Sequence, residues 1–217
     1  MISTFGLPQF QFLLVGLQWT LALSAIALVC GGVAGLAIAL ARVSHRAWLW
    51  RSAGGYIALF QGTPLLMQLF VAYYGLALLG LKLPAWVAVA VGFTLNASAF
   101  LGDIWRGAIQ AVPTGQTEAA SALGLRYGAR MRRVVLPQAF RIAQPATVGY
   151  LVQLIKGTSL AAIVGFIELA RAGQIIANQV HAPLLVYGVV GALYFVLCWP
   201  LSLYSARLEA RLAVATR

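Results

Sequence analysis

The residues of this chain that could do chemistry stand inside apolar runs. Lys156-Gly157-Thr158-Ser159 follows one such run, and Gln61-Gly62-Thr63-Pro64 interrupts another with a similar order: a polar residue, Gly, Thr, then a residue that starts a helix, then Leu. Gln68, Asn96, Asp103, Gln144, Gln153 and Glu168 are further polar groups in apolar surroundings. Burying such groups in a bilayer is costly, so they mark solute paths or gates by default. Their chemistry is that of binding and passage, with amides that donate and accept and one ammonium. For each amide, helix-to-helix hydrogen bonding is the other reading. Asn96 and Asp103, seven apart, share a helical face. Two interrupted spans in separate halves can flank a substrate path. Catalysis finds no support, because the apolar runs hold no Ser/His pair, no paired Asp and no His cluster. His45 and His181 have no Cys, Asp or Glu at metal-ligand spacing, so no metal site is expected.

Lys156 has two readings, a side chain snorkelling to an interface and a structural or gating group in a partly unwound span. The Gly-Thr-Ser that follows favours the second. Glu168 is expected to pair with Lys156 or Arg171, or else to sit solvated at an outer rim.

The elements that must position these residues are membrane spans. Charged residues make up 9% of the chain, against about 25% in soluble domains. The solvent of this all-α chain is therefore lipid. Five apolar segments are long enough to cross: about Phe12–Ala41, Tyr56–Leu81, Pro84–Ile104, Phe140–Ile167 and Pro183–Ser205. The fourth contains Gln144, Pro145, Gln153 and Lys156, so it is expected to be broken or to line a polar cavity. The N-terminal stretch MISTFGLPQFQF has no basic residue ahead of its apolar run, and so reads as mature chain and not as a signal peptide.

The net charge of +11 would suggest nucleic acid in a soluble protein. Here the loops after segments one and three and the tail hold twelve Lys and Arg, Arg217 among them, against two (Lys82 and Arg171) on the other side. The positive-inside rule then predicts an outside N-terminus and a cytoplasmic C-terminus, and no nucleic-acid partner. Cys30 and Cys198 read as small core residues. Gly31 and Gly35 form a GxxxG packing motif. Trp48, Trp50 and Trp86 fall near span ends, as an aromatic belt would.

The charged stretch Glu118–Pro137 falls in the longest predicted cytoplasmic loop, about 35 residues, a length that is usually functional. Thr117 is expected to cap a helix whose first residue is Glu118, and Gly124 to end it. Leu123, Tyr127 and Met131 then form one stripe beside Arg126, Arg130 and Arg133, and Pro137 closes the pattern before segment four. Two short helices across the cytoplasmic face are the expectation. By pattern they rest on anionic lipid or dock a soluble partner.

Read in order, Glu118-Ala119-Ala120, Gly124 and Val134-Val135-Leu136-Pro137 resemble the EAA loop of the membrane subunits of bacterial ABC importers. The resemblance covers roughly residues 12–210. GLQWTLALS (Gly16 to Ser24), ARVS (Ala41 to Ser44), YIALFQGTPLLMQLFVAYYGL (Tyr56 to Leu76) and KGTSLAAIVGFIEL (Lys156 to Leu169) are similar to the signatures of the branch that takes up histidine, glutamine and arginine. The family pattern has Ile at Val134, Arg at Gln61, Asp at Gly157, often Asn at Gly149 and usually Glu at Asp103.

The resemblance implies a single permease domain over 1–217 in a bacterial cytoplasmic membrane, with a coupling loop at about 106–139. Glu118, Ala119, Ala120, Gly124, Leu136 and Pro137 would meet a cytoplasmic ABC ATPase. The ATPase dimer would carry ATP and Mg, since this chain has no GxxxxGK[ST] phosphate loop and is not itself an enzyme. Further partners would be a second permease, identical or paralogous, an extracytoplasmic solute-binding protein and membrane lipid. The substrate would be a polar or charged amino acid. Gln61, Thr63, Gln68, Asn96, Asp103, Gln153, Lys156, Thr158, Ser159 and Glu168 are the candidates for path or gate. The alternative is a stand-alone channel or secondary transporter of small polar solutes, which leaves Glu118–Pro137 unexplained.

Overall fold

The computed structural model of the protein describes residues 5–215; Arg217 lies outside the described residues. Among them there are only helices. Helix α1 (Leu7–Arg42) starts five residues before the predicted first span. At 36 residues it is about 54 Å long, well beyond the thickness of a hydrocarbon core.

The second predicted span is not one helix. Helix α2 (Ala47–Gly62) begins ahead of Tyr56 and stops at Thr63-Pro64. The chain resumes as α3 (Leu65–Phe70), passes a π-helical turn at Val71–Gly75 and ends in α4 (Leu76–Leu78). The two arms meet at 103°. The cause is Pro64, which has no N–H for the ladder and forces Thr63 out of helical geometry, to φ −114 and ψ 142.

Helix α5 (Ala85–Gln110) runs six residues past the predicted third span. Helix α6 (Thr114–Ala122) follows. The next expectation fails, because no second short helix lies free before segment four. Helix α7 (Tyr127–Arg130) passes through a π-helical turn at Met131–Val135 straight into α8 (Leu136–Gly157). Pro137 stands in the first turn of α8 and does not end the pattern. A proline ring collides with the carbonyl four residues back in a regular helix, and the wide turn before it is how the chain continues. Directly after Lys156 the fourth span tightens to 3-10 geometry over Thr158–Val164 and closes on Gly165 at φ 82. The interruption expected there is present, but the helix winds tighter instead of unwinding. Helix α9 (Leu169–Val180), which the sequence reading did not find, precedes α10 (Pro183–Ala215). Among the described residues four helices are long and apolar enough to cross a membrane, or five spans if the bent pair counts as one.

The centre of the bundle is the seam between α1 and α5. A Cβ at Gly31 would fall 2.6 Å from the Ala97 Cβ, and one at Gly35 3.1 Å from the Gly102 amide nitrogen. GxxxG therefore packs here, within one chain. Gly31→Val is expected to cost about 1–3 kcal/mol by forcing these backbones apart, read as a lowered melting temperature of the detergent-solubilised protein. An unchanged melting temperature would mean that the seam is looser than described. Cys30, next to Gly31, projects outward, contrary to the core position expected of it, because α1 is apolar all round and only part of its surface is packed. Cys198 is buried as expected.

The two ends of the bundle differ. His45, after α1, meets the Tyr127 ring at 6.0 Å, so the basic loops after spans one and three share one end. Arg42 lies over the Trp50 ring at that end. Helix α9 packs against Leu13 and Gly16 at the other. Trp48, Trp50 and Trp86 all project outward, as interfacial anchors do.

Candidate functional site

The break at Thr63-Pro64 leaves carbonyls at the end of α2 without helical partners. Gln68, one turn into the next arm, folds back to meet them. Its Nε2 donates to the Phe60 carbonyl at 2.8 Å and to the Thr63 carbonyl and Oγ1 at 3.0 Å each. Its Oε1 accepts from Asn96 Nδ2 on α5 at 3.0 Å. Asn96 Oδ1 in turn accepts from the Tyr150 hydroxyl on α8 at 3.3 Å. One hydrogen-bonded chain thus ties both arms of the broken span to α5 and α8, and each member holds the next in orientation.

Beside this chain lies a cleft of about 180 Å³, lined by Thr63, Leu65, Asn96, Phe100, Tyr150, Gln153 and Leu154. It sits near the middle of α5 and in the last third of α8. Phe100 and Tyr150 stack at 5.4 Å as one wall. The Gln153 side chain is exposed, and among the described residues its amide has no hydrogen-bond partner, leaving a donor and an acceptor for a solute.

Four of the predicted path residues, Thr63, Gln68, Asn96 and Gln153, therefore meet here, Gln68 from behind the lining. The others do not. Asp103 pairs along its own helix with Arg106 at 2.8 Å, and Arg106 also reaches Gln110. Gln61 and Lys156 are exposed away from the lining. Thr158 is buried and donates to the Ile155 carbonyl, and Ser159 donates to the Lys156 carbonyl. Both hydroxyls serve the tightened turn, as Ser and Thr near helix ends commonly do. Tyr150 and Phe100 were missed. The signal was a lone Tyr in an apolar run, whose buried hydroxyl must find a partner.

Glu168 corrects both expectations for it. It is 0% exposed and pairs with neither Lys156 nor Arg171. Its carboxylate caps α9, accepting from the backbone N–H of Ala170 and Arg171 at 2.8 Å each, and from the Tyr194 hydroxyl at 3.0 Å. The next amide, Leu169, donates to Thr20 Oγ1 at 3.2 Å. Glu168 thus bolts α9 to α1 and α10, apart from the cleft. Glu168→Ala is expected to free α9 at a cost of about 1–3 kcal/mol per orphaned group, read as faster proteolysis between α8 and α10. Cleavage at the wild-type rate would contradict the bolt.

At the basic end, α6 begins at Thr114, three residues ahead of the expected Thr117 cap, because Pro113 pre-sets the first turn and its carbonyl takes the Gln116 N–H at 3.0 Å. Thr117 lies inside the helix, where its carbonyl accepts from Ser121 Oγ. Gly124 ends α6 as expected, at φ 74. The Gly124 N–H reaches the Ser121 carbonyl and the Leu125 N–H the Ala120 carbonyl, a left-handed glycine closure. Glu118 and Ala119 face outward, whereas Ala120 is buried against the protein itself. Leu123, at the tip of α6, is 81% exposed. Leu136 and Pro137 lie apart from α6, in the first turn of α8. Gln138 Nε2 joins the two helices through Gln116 Oε1 at 3.3 Å. Behind them Val112, Val135 and Ala139 form a small core, and Trp105 Nε1 donates to Thr147 Oγ1 across α5 and α8. Among the described residues no three of His, Cys, Asp and Glu gather as metal ligands.

The sequence matches a family model described as "binding-protein-dependent transport system inner membrane component" over residues 31–214. It is 37% identical over 208 residues to the probable amino-acid ABC transporter permease protein YckA of Bacillus subtilis (strain 168), covering 96% of this chain and 92% of that one. It is 35% identical to the arginine transport system permease protein ArtQ of the same organism, covering 95% and 94%. A solved structure described as an amino acid ABC transporter with histidines superposes with a TM-score of 0.86 at 34% identity, covering 93% of this chain and 94% of that one. An inward-facing MetNI methionine ABC transporter shares the fold, with a TM-score of 0.78 at 22% identity over 95% and 99%.

Proposed function

The chain belongs to the family of binding-protein-dependent transport system inner membrane components, and from that premise we propose that it is the membrane-spanning permease subunit of an ATP-driven importer of polar or charged amino acids. The observation that carries the amino-acid reading is the cleft of Thr63, Asn96, Tyr150 and Gln153, a polar lining held by a hydrogen-bonded chain beside the middle of α5. Polar groups at that depth suit a solute rich in donors and acceptors. The relatives are named for amino acids such as arginine, which supports the same class.

The whole chain acts as one permease domain, N-terminus outside, with residues 106–139 as its coupling segment. Leu123, Ala119 and Glu118 on α6 seat in a groove of a cytoplasmic ATPase. Gly124 gives the helix its end, and Leu136 and Pro137 start the helix that α6 moves. Because Gln116 and Gln138 join α6 to α8, and α8 carries Tyr150 and Gln153, a push on α6 reaches the cleft through one rigid element. A second permease completes the pathway, and an extracytoplasmic solute-binding protein delivers substrate. ATP and Mg belong to the ATPase. Lys156, Thr158 and Ser159, where α8 passes into 3-10 geometry, form the gate next to the cleft, with Gln61 across the break in span two.

Affinity purification of the full chain from gently solubilised native membranes tests this. An ABC ATPase is expected to come with it. Its absence, under conditions that keep other complexes whole, would favour a channel or secondary transporter.

A further inference from the structure

The chain has four acidic residues, Asp103, Glu118, Glu168 and Glu209, and none stands at the cleft. Asp103 is seven residues along α5 from Asn96, about 10.5 Å of rise, and is held by Arg106 at 2.8 Å. Glu118 faces outward on α6 at the basic end. Glu168 is fully buried at the far end, its oxygens taken by Ala170, Arg171 and Tyr194. Glu209 is exposed near the end of α10. The polar lining of the cleft is hydroxyl and amide only. The nearest charge along α8 is Lys156, three residues beyond Gln153 and so its neighbour on the helix surface.

From this placement we infer that the cleft takes amino acids with polar, uncharged side chains and turns cationic ones away. The inference rests on the cleft being the substrate site. A guanidinium or ammonium side chain entering there loses water and meets no carboxylate, and burying an unpaired charge is far costlier than burying an amide that finds partners. A carboxamide or hydroxyl instead finds the free amide of Gln153, which offers both a donor and an acceptor.

The test uses the full chain with its co-purifying partners in nanodiscs, without a solute-binding protein, and equilibrium binding of radiolabelled L-glutamine and L-arginine. Glutamine is expected to bind and arginine to bind at least about tenfold more weakly. Gln153→Glu, alone and with Lys156→Gln, is expected to raise arginine affinity by about tenfold and to lower that for glutamine. Gln153 is exposed and the change nearly isosteric, so melting temperatures should stay at the wild-type value. Equal binding of both ligands to the wild type, lost together in Asn96→Leu, would overturn the charge selection and leave the cleft as the site. Binding of neither ligand, with Asn96→Leu transporting normally, would overturn the site and the inference together.

Discussion

Leu123→Asp should leave the permease folded and strip it of its ATPase. Leu123 is 81% exposed at the tip of α6, so no packing within the chain is lost. In a partner's groove the same side chain would contribute about 1.5–3 kcal/mol of burial, and an aspartate there would be unpaired. ATPase recovered in affinity purification is expected to fall at least about tenfold, and amino-acid uptake with it. Gly124→Val should give the same phenotype by another route. A β-branched residue at φ 74 costs about 1–2 kcal/mol in left-handed geometry, enough to unwind the end of α6. Gly124→Asn, which tolerates that geometry, should retain most of the uptake. Full ATPase recovery with Leu123→Asp would remove α6 as the docking helix.

Asn96→Leu should cut transport sharply without preventing insertion. Asn96 is the middle of the chain from Gln68 to Tyr150, giving to one and receiving from the other. Leucine fills much the same space but leaves the Gln68 oxygen and the Tyr150 hydroxyl unsatisfied, at about 1–3 kcal/mol each. The brace across the broken span goes with it. Uptake is expected to drop at least about tenfold, with ATPase recovery unchanged. That separates loss of the path from loss of docking. Uptake near the wild-type rate would mean that the cleft lies off the path.

The spans were legible in the sequence because a 20-residue apolar run admits few other structures in a membrane. That the fourth span departs from a regular α-helix was legible too, from the Gly and the two hydroxyls after Lys156, although it winds tighter there and does not unwind. Gly124 was placed by its own backbone requirement. Failures came where tertiary partners decide. The interruption of span two at Gln61–Pro64 was legible, but its 103° angle was not, because that depends on Gln68 folding back to satisfy the carbonyls the break exposes. Pro137 reads as a stop, yet the π-helical turn before it lets the helix run on. Glu168 looks like half of an ion pair because no sequence pattern shows that Tyr194 and two amides await it. Asp103 shares a helical face with Asn96 by spacing, but Arg106, three residues on, claims it first. Amides could be recognised as path candidates; which of them converge depended on a fold that sequence spacing does not encode.

The most direct test is uptake of radiolabelled L-glutamine into proteoliposomes holding the purified complex, with solute-binding protein outside and ATP sealed inside. Accumulation above the outside concentration is expected with ATP, none without it, and none with Leu123→Asp even when ATP is present. Accumulation at the same rate without ATP, or undiminished in Leu123→Asp, would contradict an ATP-driven permease coupled through α6.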